Sequence, residues 1–190
     1  MPEKVTLTFV LLCAAALYAQ PPRPSAAGLE PAWEIAPVLV EMGDHAARLL
    51  PILDRVDVKS WLAKGASATY ADQLQSSREQ AKALAEGARA LSRNPEKLSA
   101  SLEFFFRLQG LDTMLKSLEE GIRKYQGPQA AQQLASIDAE NGANRERFRG
   151  YIVNLAALRE EQFEVMDREA QRCRGILTQR ALPATSGRKK

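Results

Sequence analysis

The chain has 190 residues, of which 45% are hydrophobic and 26% charged, with a formal net charge of +3. Such a composition excludes disorder throughout, because enough apolar surface exists to offset chain entropy. Two cysteines and one histidine exclude a disulfide-dense scaffold and leave too few ligands for a zinc or iron–sulfur centre.

Residues 1–19 carry the three-part pattern of a secretory signal peptide. Lys4 supplies the positive start, Val5 to Leu17 an uncharged and mostly apolar run, and Ala19 the small residue before a cleavage point at Gln20. The run is shorter than the roughly 20 apolar residues of a membrane span. Pro21, Pro22 and Pro24 stop any helix behind it. Leu12 before Cys13 does not suit a lipid-anchor site, and no twin arginine is present. The expected product starts near Gln20 and works in a periplasmic or extracellular space, with no transmembrane segment after cleavage. It would keep Cys173 as its one thiol, which permits a disulfide only between chains. Residues 20–31 read as a flexible Pro-rich lead-in, 32–180 as a helical bundle and 181–190 as a disordered basic tail. Arg188, Lys189 and Lys190 match the whole net charge of +3, so the folded part is near neutral and implies no nucleic-acid partner.

From Ala32 onward the apolar residues recur at helical spacing, and no stretch alternates as a half-buried strand would. The first segment spans Ala32 to Lys64. Pro51 is expected to kink it, Asp57 to cap a short final piece, and Lys64-Gly65-Ala66 to stop it. The second spans Ser67 to Ser92, with Tyr70, Leu74, Ser77, Ala81, Leu84, Ala88 and Leu91 as a seam that holds small residues and allows close approach. Asn94-Pro95 is expected to cap and open the third helix, which runs to Gln126 with Phe104, Leu108, Leu111, Leu115, Leu118, Ile122 and Tyr125 inward. The fourth begins after Gly127-Pro128 and runs to about Arg180. The seam keeps its phase across Asn141-Gly142, so an unbroken helix is expected there.

Four amphipathic segments with short connectors predict an all-α, antiparallel up-down four-helix bundle with a kinked first helix and a long C-terminal helix that overhangs it. The fourth helix, at about 50 residues and 75 Å, outruns the third by several turns. The overhang carries Phe163, Val165, Met166, Cys173, Ile176 and Leu177, a stripe that should not stay in water. Either a second copy covers it, making a homodimer, or the stretch from Leu29 to Trp33 folds over it.

Polar residues interrupt the seam at Asn141 and Asn144, with Gln109, Asp112 and His45 as facing candidates. They could line a pocket for a small ligand or cofactor, or they could fix helix register and partner choice. Glu41 and His45 stand four apart, too few to hold a metal by themselves. His45 with Met42, Met114 or Met166 could in principle hold a haem. One histidine cannot serve a di-iron bundle. No Gly-x-Ser-x-Gly elbow, P-loop, dinucleotide fingerprint or Cys-x-x-Cys-His is present. The sequence therefore favours a non-enzymatic protein with no cofactor and no resident metal, acting through protein–protein contacts in the bacterial envelope or exterior. A small-ligand or cofactor-binding sensor and a periplasmic holdase-like chaperone are the alternatives.

Overall fold

The computed structural model describes the backbone of residues 28–181 and the side chains of 28–178. The expected signal peptide, most of the Pro-rich lead-in and the basic tail lie outside the described residues. Within them the chain is all-helical and no strand occurs. Six segments follow in order: α1 (Ala32–Leu53), α2 (Val58–Ala63), α3 (Thr69–Leu91), α4 (Leu98–Tyr125), α5 (Pro128–Glu140) and α6 (Gly142–Ala181).

The first segment ends rather than kinks. Pro51 lies in the last turn of α1, and the helix stops at Leu53. Arg78 of α3 seals that end: its Nη2 donates to the Leu53 carbonyl at 2.9 Å and its Nε lies 3.0 Å from Asp54. A four-residue turn leads to α2, whose N-cap is Asp57, accepting from the Ser60 N–H at 3.1 Å. Gly65, at φ +85°, ends α2 in the left-handed conformation that glycine adopts without a steric cost.

Asn94-Pro95 does not open α4. The helix starts at Leu98, and Pro95 sits in the preceding turn, where its carbonyl accepts from the Ser101 hydroxyl at 2.8 Å. That bond satisfies a buried serine, so the proline serves the turn and not the first helical position. Asn141 corrects the expectation of a continuous last helix. Its φ is −86° and its ψ 0°, and its N–H bonds Asp138 O at 3.4 Å, three residues back instead of four. The tightened turn separates α5 from α6, and the Arg145 N–H then bonds Asn141 O at 3.0 Å to start the next helix.

The heptad seams lie inward. Leu74, Ser77, Ala81, Leu84, Ala88 and Leu91 are buried on α3, as are Phe104, Leu108, Leu111, Leu115, Leu118 and Ile122 on α4. Of the three consecutive phenylalanines, Phe104 is buried, Phe105 partly so and Phe106 exposed. The helices close a ring: α1 packs on α3, α3 on α4, α4 on α5 and α6, and both α5 and α6 return to α1. At one end Trp61 of α2 stacks on Tyr125 and meets Tyr70 edge-on, at centroid distances of 5.6 and 5.5 Å. Gly121 admits this cluster, because a Cβ there would stand 2.8 Å from Trp61 Cζ3.

Candidate functional site

Beyond its apolar core the molecule carries two distinct features: a polar cluster inside the ring and a free apolar length of α6. The cluster draws one residue from each of four helices. His45 projects from α1, Asp112 from α4, Asp138 from α5 and Arg145 from α6, with Asn141 at the α5–α6 turn. His45 Nε2 is hydrogen-bonded to the Ile137 carbonyl, which fixes the neutral tautomer with its proton on that nitrogen. Burial, acting against that bond, holds the imidazole pKa below its ordinary value. Arg145 Nη1 bridges Asp112 at 2.5 Å and Asp138 at 3.5 Å. Burial pushes Asp138 up to about 6, aided by its hydrogen bond to Asp112 and opposed by Arg145. At Asp112 burial also disfavours the charge, but the bonds from Lys116 and Arg145 outweigh it and leave that carboxyl below its ordinary value. The pair therefore holds one readily ionised acid beside one that retains its proton to higher pH, as two close carboxylates must.

The sequence placed five residues at this seam, and the structure brings three together. His45, Asp112 and Asn141 border one cavity. Asn144 is half-buried further along α6, and Gln109 is exposed, reaching only the outer groove beside Asp112 and Arg145. Asp138 and Arg145 were missed, although their spacing from Asn141, three before and four after, puts all three on one helical face. The cavity measures about 10 Å³, roughly the space of a single water. Neither a small ligand nor a haem fits it, and His45 is already engaged by a carbonyl. Glu41 is exposed while His45 is buried, so the two share no site. Among the described residues no group of three or more His, Cys, Asp or Glu side chains could hold a metal ion. Asp44 and Arg48, on the same helix, each reach another helix, Asp44 toward Arg89 at 3.8 Å and Arg48 to Glu140 at 2.9 Å. The geometry suits the register role: buried polar groups that match only when four helices are aligned.

A larger open groove of about 570 Å³ runs between α3 and α4. Its floor is Ala83, Gly87, Leu91 and Phe104, and its rim Glu86, Lys97, Glu103 and Arg107. No convergent acid–base or nucleophile pair faces into it.

The second feature begins where α6 leaves the ring. Phe148, Tyr151, Ile152 and Leu155 are buried. Arg159 marks the last tie, its Nη2 donating to the Glu96 carbonyl at 3.2 Å. From Glu161 to Thr178 every residue is exposed, a length of about 27 Å. Phe163 is 71% exposed, Met166 70% and Leu177 65%, with Val165 and Ile176 beside them. Cys173 is a free, exposed thiol on the same length. The stretch before α1 does not cover it. Leu29 packs on the core, Glu30 pairs with Arg147 within the ring, and Trp33 is itself 76% exposed. Among the described residues no helix is long and apolar enough to cross a membrane.

The chain matches no protein-family model, no curated protein and no solved structure.

Proposed function

We propose that this chain is an exported, non-catalytic interaction protein whose helical ring presents the free end of α6 to a protein partner. The observation that carries the reading is the length 161–178, in which every residue is exposed and which yet bears Phe163, Val165, Met166, Ile176 and Leu177. Contiguous apolar surface of that kind marks contact sites in soluble proteins. The export part rests on residues 4–19, and the N-terminal sequence of the secreted product checks it: a start at Gln20 is expected. The ring itself reads as an up-down four-helix bundle, with α1, α3, α4 and the α5–α6 pair as its antiparallel members, since such short connectors favour antiparallel neighbours. The small-ligand reading has little support, because the polar cluster encloses space for about one water.

The test is a chain ended at Glu160. It should unfold at nearly the same temperature as the full chain, since residues 161–178 are all exposed and border the ring only where Phe163 and Glu164 lie beside Leu98, and it should lose chemical cross-linking to partners. Identical cross-linked species with and without residues 161–190 would overturn the proposal. The same stripe could serve a holdase. Suppressed aggregation of an unfolded client, lost with the same truncation, is the outcome that would select that role.

A further inference from the structure

The free end of α6 is complementary to itself. Phe163, Met166, Ala170, Cys173 and Leu177 follow one another at spacings of three, four, three and four. These are the a and d positions of a heptad, and all five are exposed, Phe163 bordering a groove beside Leu98 of α4 and the other four lying further along the free length. The charges beside the seam fit the same reading. Asp167 and Arg174 occupy e positions and Glu169 a g position. If two copies run parallel, Glu169 of one faces Arg174 of the other; if antiparallel, Asp167 faces Arg174. In either direction acid meets base across the interface. Val165 is apolar and 46% exposed, but it falls at c, on the outer side of such a pair.

We infer that the partner covering this surface is a second copy of the chain, joined along residues 163–177 as a short two-stranded coiled coil. The inference rests on the reading of α6 as a contact surface and names its occupant. With little more than two heptads, and small side chains at Ala170 and Cys173, the pair should be in equilibrium with monomer and should dissociate on dilution.

The experiment is light-scattering or sedimentation mass of the purified protein over a hundredfold range of concentration, with reductant present to prevent disulfides. The mass should rise from that of one chain toward twice that value. Met166→Glu and Ala170→Glu, which place charge in the seam, should each weaken pairing about tenfold or more. Val165→Glu puts the same charge on the outer side of the helix and should pair like the parent. Circular dichroism reports whether each variant keeps its helices, which is expected because residues 165, 166 and 170 are exposed and lie beyond the groove at Leu98. Equal loss in all three variants would mean indiscriminate adhesion and would overturn the seam. A parent chain that stays monomeric at the highest concentration would overturn the second copy. If that monomer still cross-links to another protein through residues 161–181, the broader contact reading survives; if the truncated chain cross-links identically, both fail.

Discussion

Gly43 of α1 packs directly against Ala88 of α3, and the contact gives a sharp test of the packing. A Cβ added at Gly43 would lie 2.6 Å from the Ala88 Cβ and 3.3 Å from the Ala85 carbonyl oxygen. Carbon atoms rest at about 3.5–4.0 Å, so Gly43→Ala must push the helices apart by roughly 1 Å. The obstacles are a short methyl and backbone, neither of which can rotate aside. Alanine gains about 1 kcal/mol over glycine in a helix interior, while overpacking of this kind costs about 1–3 kcal/mol. Opening the most extensive helix pair in the molecule places the cost at the upper end, for a net loss of about 2 kcal/mol. Ala88→Gly alone should lose about 1–2 kcal/mol through helix propensity and one buried methyl. The double variant moves the methyl from one helix to the other. Its propensity changes cancel, and it should fall within about 1 kcal/mol of the parent. Urea unfolding followed by circular dichroism measures all four proteins. A Gly43→Ala chain as stable as the parent, or a double variant no better than the sum of the singles, would refute the close-contact argument.

Several further outcomes can be measured. Because Asp138 is raised to about 6, its contribution to stability is fully present below pH 3.8 and is lost as pH rises through about 6. His45, held below its ordinary value, contributes stability that is present above pH 6.5 and lost as pH falls. The two oppose each other between pH 5 and 7, where Arg145, Lys116, Arg48 and Glu140 also face the cluster. Asp138→Asn should therefore make stability rise more steeply with pH than in the parent, by on the order of 1 kcal/mol across that interval; parallel melting curves for the two chains would contradict this. Trp61→Ala should cost about 3–5 kcal/mol, since the ring is fully buried against Tyr70 and Tyr125, and a loss below 1 kcal/mol in urea would sink that account. Trp33→Phe should leave stability unchanged and shift fluorescence emission to the blue, because the remaining Trp61 is shielded from water; a red emission maximum would contradict the burial of Trp61.

Much of this architecture was legible in the sequence because helical periodicity is a local signal. The seams of α3 and α4 repeat at three and four residues, and apolar side chains at that spacing can be buried only on one helical face. Asp57 and Gly65 announced the limits of α2 through side-chain capping and left-handed backbone, both settled by immediate neighbours. The overhang followed from counting residues at a fixed rise. Where a local preference competed with a tertiary one, the sequence was ambiguous. Asn94-Pro95 has the chemistry of a helix start, but the Ser101 hydroxyl takes the Pro95 carbonyl and the turn holds until Leu98. Asn141-Gly142 preserves the heptad phase, and phase survives a single tightened turn, so periodicity could not register the break. The polar cluster depended on the tertiary structure most of all. Asp138 and Arg145 acquire meaning only beside Asp112, which lies on another helix, and beside His45, whose proton is committed to the Ile137 carbonyl. Sequence determines which faces of these helices must leave water. Which polar groups meet once they do, and which length of helix is left without a neighbour, is decided by how the helices align, since charge pairing and desolvation act across space and not along the chain.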